Sequence, residues 1–130
     1  MNRFEEVLKN MNLEFFGQGK HKISPEGLFE KDNAVLLDVR TDEEVETIEF
    51  RLKHHVKSLN IPTDEIPDRL DEIPRDKFIG VFCSSGVRAS IVYAFLHAHG
   101  FSDVRILVGG YEEIMGSLKP GKLWKRVQKI

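Results

Sequence analysis

Phe78-Ile79-Gly80-Val81-Phe82-Cys83-Ser84-Ser85-Gly86-Val87-Arg88-Ala89-Ser90 is the stretch that decides the reading of this chain. Its first five residues form an apolar run of strand length, with β-branched and aromatic side chains, the pattern of a strand buried on both faces. From about Arg88 the apolar residues Ile91, Ala94, Phe95 and Ala98 recur at helical spacing, and Gly100 stands where a helix takes its left-handed cap. Cys83, the one cysteine in 130 residues, therefore lies on a short polar loop between a strand and the start of a helix.

That position carries chemistry. A helix start presents unpaired N–H groups and a partial positive charge, both favourable to an anion lying in front of it. Ser84, Ser85 and Gly86 are small enough for the loop to curl its amides toward Cys83, and Arg88 adds a full positive charge. Such surroundings favour the thiolate, which is the nucleophilic form. The plainer alternative makes Cys83 a small buried apolar residue. The coincidence of strand, polar loop, glycine, arginine and helix start favours the chemical reading.

At these residues the sequence resembles the rhodanese family of sulfurtransferases, whose active-site loop opens on a nucleophilic cysteine and closes on an arginine before a helix. Cys83, Gly86, Arg88 and Ser90 stand at the matching positions. Val35-Leu36-Leu37-Asp38-Val39-Arg40 resembles the family's first core strand, Asn60-Ile61-Pro62 the end of its second, and Val108-Gly109-Gly110-Tyr111 the two-glycine turn after the last. The resemblance runs from about Ile23 to Met115. It implies a rhodanese-like domain over residues 23–116, flanked by an amino-terminal helical extension (1–22) and a carboxy-terminal helical tail (117–130). The implied fold is α/β, a mainly parallel five-stranded sheet with helices on both faces.

The resemblance also implies an activity. The Cys83 thiolate would take sulfane sulfur from a small donor such as thiosulfate or mercaptopyruvate, or from a protein persulfide. Ser84, Ser85, Gly86, Val87 and Arg88 would hold the persulfide, and cyanide, a thiol or a protein thiol would accept the sulfur. Neither metal nor organic cofactor is expected. Ser84 stands where many members carry an arginine or another cation, so thiosulfate is expected to bind weakly. Lys53 to Ser58 replaces the family's Gly-His-Ile-Pro-Gly-Ala, and Ile114 replaces a common tryptophan. Two rivals are a cysteine phosphatase or arsenate reductase and a non-catalytic binding module that keeps the fold. Four residues separate Cys83 from Arg88, where cysteine phosphatases place five; the shorter loop suits a single sulfur atom. Retention of Cys83 and Arg88 speaks against the binding module.

Composition sets outer limits. At 130 residues and 41% hydrophobic content the chain suits one globular domain. A net charge of −2 gives no electrostatic reason to expect nucleic acid or an anionic membrane as partner. The opening Met1-Asn2-Arg3-Phe4-Glu5-Glu6 lacks the apolar core of a signal peptide, and no apolar run reaches membrane-spanning length. A cytoplasmic location is expected, and a single cysteine excludes an internal disulfide.

Along the chain, Phe4, Val7, Leu8 and Met11 predict a short amphipathic helix, and Phe15 with Phe16 a core anchor before a turn at Gly17-Gln18-Gly19. Ser24-Pro25 predicts a brief helix, interrupted at Gly27. Ala34 to Val39 predicts a strand, and Thr41 with Glu44 a capping box opening a helix to about Glu49. Two readings of Asp38 stand side by side: an ion pair with Arg40, which is favoured, or a brace that accepts amide hydrogen bonds from the Cys83 loop. Arg40 has a further alternative partner in Glu43 or Glu44. His54 and His55 read as solvated loop without a catalytic role. Leu59 to Ile61 predicts a strand stopped by Pro62, Ile66, Leu70 and Ile73 a helix interrupted or begun by Pro67, and Val104 to Val108 the last strand. Tyr111 lines the site's mouth or is an ordinary half-buried tyrosine. The tail predicts a basic helix with Leu123, Val127 and Ile130 on one face, docked on the domain or on a partner.

Overall fold

Each strand is followed by a helix or turn that crosses one face of the sheet, and such crossovers leave consecutive strands parallel. The computed structural model describes residues 2–128. Strands β1 (Lys22–Ile23), β2 (Ala34–Asp38), β3 (Lys57–Asn60), β4 (Phe78–Phe82) and β5 (Val104–Leu107) form one parallel sheet in the order β1-β5-β4-β2-β3. This is the expected α/β architecture. β4 lies at the centre, paired with β2 from Ala34 opposite Phe78 to Asp38 opposite Phe82, so Cys83 leaves the sheet at the middle of its carboxyl edge. Ligands of open α/β sheets bind at that edge.

The pleat sorts side chains into two layers. Val35, Leu37 and Val39 of β2 and its end and Ile79, Val81 and Cys83 of β4 and its end join one buried cluster. Helix α5 (Val87–Ala98) covers it with Ala89, Val92, Tyr93 and Leu96. Ala34, Leu36 and Phe82 face the other way, against Leu28 and Phe29 of α3 (Pro25–Phe29) and Ile114 of α6 (Tyr111–Gly116). Gly80 lets α3 approach: a Cβ there would stand 2.7 Å from Leu28 Cδ2.

Helices α1 (Arg3–Lys9) and α2 (Leu13–Gln18) sit on the first layer, with Met11 and Phe15 against its core and α1 packed on α5. α4 (Asp42–Thr47) opens with the expected capping box, Thr41 and Glu44 bonding each other's backbone N–H. α5 ends as predicted, with Gly100 left-handed at φ 88°.

Several expectations need correction. The turn foreseen at Gly17 begins only at Gly19 (φ 63°), because Asn12 caps a second helix that runs through Phe15, Phe16 and Gly17. Phe15 is a core anchor, whereas Phe16 is 56% exposed. Gly27 does not interrupt α3; its N–H is the one that Ser24 Oγ accepts. The helix foreseen around Ile66 to Ile73 is a pair of 3-10 turns, Thr63–Glu65 and Pro67–Glu72, the second kinked at Arg69, which is out of helical conformation. β3 starts at Lys57, two residues before the predicted strand.

The tail forms α7 (Pro120–Val127), but its buried residue is Arg126, while Leu123 and Trp124 stay exposed. Arg126 Nη2 donates to Glu26 Oε2 on α3 at 3.1 Å, so this helix docks by charge and lies on the domain itself. Ile130, expected on the apolar face, lies outside the described residues. Among the described residues no helix is long and apolar enough to cross a membrane.

Candidate active site

Helix α5 starts without a side-chain cap, because its first flanking residue is Gly86, at φ 96° and ψ −15°. The cysteine sulfur takes the cap's place. Cys83 Sγ accepts the Gly86 N–H at 3.0 Å and the Ala89 N–H at 3.3 Å, so two helix-start donors that would otherwise be orphaned converge on it. The strand's alternation supplies this geometry: residue 83 falls on the same face as Ile79 and Val81, the face α5 covers. Cys83 is 1% exposed and belongs to the core cluster, so its burial agrees with the plainer reading, while the two donors at its sulfur are what the chemical reading requires.

The Arg88 guanidinium is spoken for within the chain. Nη1 and Nη2 donate to the two carboxylate oxygens of Glu44 at 2.6 and 2.9 Å, and Nη2 also donates to Ser84 Oγ at 2.9 Å. Arg88 holds the Glu44 carboxyl at about 2, helped by the backbone and hydroxyl of Thr41 against partial burial. In return the same carboxylate raises the Arg88 pKa, with a smaller contribution from Cys83. The cation expected beside the sulfur is therefore largely neutralised.

The Ser84 carbonyl packs directly on Gly110, where any Cβ would collide with it; only glycine lets the two-glycine turn lie under the loop at φ 76°. Ser85 and Gly86 form the loop's outer rim, and Val87 is 65% exposed.

Asp38 is placed differently. Strand parity puts it on the face opposite Cys83, with Ala34, Leu36 and Phe82. Its carboxylate accepts the Arg40 backbone N–H at 3.1 Å, Nε at 3.0 Å and Nη2 at 2.7 Å. Arg40, fully buried, also donates through Nη1 to the Ile48 carbonyl at 2.8 Å and to the Tyr111 hydroxyl at 3.3 Å. The favoured ion pair is thus what forms; Arg40 turns to neither Glu43 nor Glu44, and no hydrogen bond joins Asp38 to the Cys83 loop among the described residues. Tyr111 is half-buried against Phe82, with its hydroxyl accepting from Arg40. His54 is exposed, and His55 packs on Phe29 with the rings tilted by 39° and its Nδ1 unpartnered. No cluster of three metal-ligating side chains occurs among the described residues.

Three participants escaped the sequence reading. Ala89 was signalled, since a helix's third N–H is always free to bond a group ahead of it. Gly110 was read as a turn and not as a contact. The sequence offers Glu44 as a capping-box residue or a partner of Arg40, and nothing in the local pattern reveals that it holds Arg88.

The comparisons agree with this geometry. The family model for the rhodanese-like domain matches residues 26–117, and the chain belongs to that family. It is 28% identical over 118 residues to the protein YqhL of Bacillus subtilis, covering 91% of this chain and 81% of that protein. A protein named sulfurtransferase from Allochromatium vinosum is 31% identical over 83 residues, covering 64% of this chain and 73% of that one. A crystal structure of a rhodanese-related protein from Thermoplasma volcanium superposes with a TM-score of 0.64 at 26% identity, covering 77% of this chain and 95% of that one. The family is thus one that includes sulfurtransferases.

Proposed function

We propose that this protein is a single-domain sulfurtransferase that carries sulfane sulfur as a Cys83 persulfide. The observation that carries this reading is the pair of amide N–H groups, from Gly86 and Ala89, aimed at a cysteine sulfur on the end of the central strand. Donors fixed in place and shielded from water stabilise charge on sulfur without reorganising during the reaction.

In the forward half-reaction the thiolate attacks the outer sulfur of thiosulfate, mercaptopyruvate or a protein persulfide. An S–S or C–S bond breaks, and the electron pair leaves with the donor residue. Ser84, Ser85, Gly86 and Val87 form the wall around the added sulfur. Arg88, tied to Glu44, fixes the loop's shape. In the second half-reaction cyanide, a thiol or a protein thiol attacks the outer sulfur and the Cys83 thiolate returns. With one cysteine, no thiol of this chain can resolve the persulfide, so an external acceptor must. Residues 23–116 form the catalytic unit in this reading, with 1–22 and 117–130 as helical additions, and the cytoplasm is its proposed location.

Loop length supports this reading over phosphatase chemistry, since four residues between Cys83 and Arg88 leave less space around the sulfur. The test is a steady-state assay with cyanide as acceptor and each donor varied in turn. Parallel double-reciprocal lines for at least one donor are expected; intersecting lines, or no thiocyanate with any donor, would remove the persulfide cycle.

A further inference from the structure

A groove of about 590 Å³ runs from the amino-terminal helices to the rim of the Cys83 loop. Phe4, Leu8 and Phe16 of α1 and α2 form one wall, and Val87 and Ile91 of α5 the other. All five are large and apolar, and their exposure runs from 49% for Phe4 to 65% for Val87. Lys22 is the one formally charged side chain among the described lining residues. Apolar surface left open in one place and enclosed on several sides marks a ligand site more often than a packing lapse.

The groove ends at the loop that holds the reaction centre. Gly86 lines it, while the Gly86 N–H touches Cys83 Sγ at 3.0 Å, so one residue separates groove from sulfur. A Cβ built on Gly86 would meet nothing within 4 Å, which places open space on that side of the loop. The wall built by α1 and α2 comes from residues before 26, outside the span matched by the family model, while the α5 wall lies within it. The volume suits a small molecule and is too small for a folded partner.

We infer that the groove binds the body of an apolar low-molecular-weight thiol, which serves as the sulfur acceptor; this rests on the persulfide cycle proposed above. The acceptor's thiolate attacks the outer sulfur of the Cys83 persulfide and a new S–S bond forms. The Cys83–S bond to that sulfur breaks, its electron pair returns to Cys83 as thiolate, and the acceptor leaves as a persulfide. The outer sulfur is exchanged between two thiols, and no further oxidant or reductant is consumed. Charged or very small acceptors gain nothing from the groove.

The test uses full-length protein already carrying sulfur, discharged by ethanethiol, butanethiol or hexanethiol, with cyanide as a reference acceptor. The apparent KM is expected to fall roughly two- to fourfold for each added methylene that is buried. Phe16→Ser and Ile91→Ser, both at exposed positions, are expected to lower the hexanethiol-to-ethanethiol ratio of kcat/KM about tenfold or more. Calorimetric binding of 1-hexanol, weakened by the same substitutions, is the readout independent of turnover. A protein discharged by cyanide with no dependence on chain length overturns the groove assignment and leaves the persulfide cycle standing. A protein that binds hexanol yet never loads sulfur overturns the cycle, and the acceptor role with it.

Discussion

Two strands end side by side at the carboxyl edge of the sheet, and each delivers a polar group into a nearly dry environment. On one side Asp38 and Arg40 close on each other: all three guanidinium nitrogens donate, to Asp38, Ile48 or Tyr111, and the aromatic rings of Phe50, Phe82 and Tyr111 surround it at 5.3 to 5.4 Å. On the other side Cys83 receives two amide N–H groups and faces no fixed counter-charge nearer than Arg88, whose own charge Glu44 answers. The first arrangement is complete and has nothing to offer a reactant. The second is complete only when its sulfur bears charge. The difference comes from strand parity: Asp38 pairs with Phe82 in register, and Cys83, one residue further on, falls to the opposite face.

The comparison breaks most completely at Cys83. Cys83→Ser should abolish sulfur transfer with every donor while leaving the fold intact, since a hydroxyl can accept the same two N–H groups; donor-dependent thiocyanate production and circular dichroism check the two halves. The closed pair fails in the other manner. Arg40→Met strands the Asp38 carboxylate in the core, with 12% of its side chain exposed, and should cost about 3–5 kcal/mol in urea unfolding. Adding Asp38→Asn to that variant should recover part of the loss, since no unpaired charge then remains buried.

Smaller effects sharpen the contrast. Ser84→Arg adds a cation at the loop entrance and should lower the apparent KM for thiosulfate by up to about fivefold, the factor that matches about 1 kcal/mol for a partly exposed charged contact. An unchanged KM would show that the donor is held elsewhere. Glu44 supplies the mildest change, one confined to acid. Its carboxyl sits at about 2 in the folded protein against an ordinary 4.5, so the unfolded chain binds the proton first as pH falls. The pair's contribution is whole above about 4.5 and fades between there and about 2. Glu44→Gln should therefore lose stability near neutral pH by no more than about 1 kcal/mol, with a flatter unfolding midpoint through that acid range.

Much of this contrast could be read from sequence, and the rest has physical reasons for being hidden. The strand, loop and helix around Cys83 were legible because apolar run, small polar residues and helical spacing follow one another without interruption. β1 was not, because two residues carry no periodicity; its place depends on pairing with β5. The division between Asp38 and Cys83 could have been counted from alternation once both strands were known to be parallel. The Arg88 link to Glu44 joins residues 44 apart, beyond any local pattern. On the tail, an apolar stripe was visible, yet the buried contact is an arginine, whose partner Glu26 lies 100 residues away.

The central claim is that the two amides at Cys83 make its sulfur a carrier of one further sulfur atom. The most direct measurement is the intact mass of the protein after exposure to each donor in turn and removal of that donor, repeated after cyanide is added. The account predicts a gain of one sulfur atom, localised to the peptide containing Cys83, stable until acceptor arrives and then lost in full. A mass unchanged by thiosulfate, mercaptopyruvate and a persulfide donor alike would contradict it, leaving the fold as a binding module.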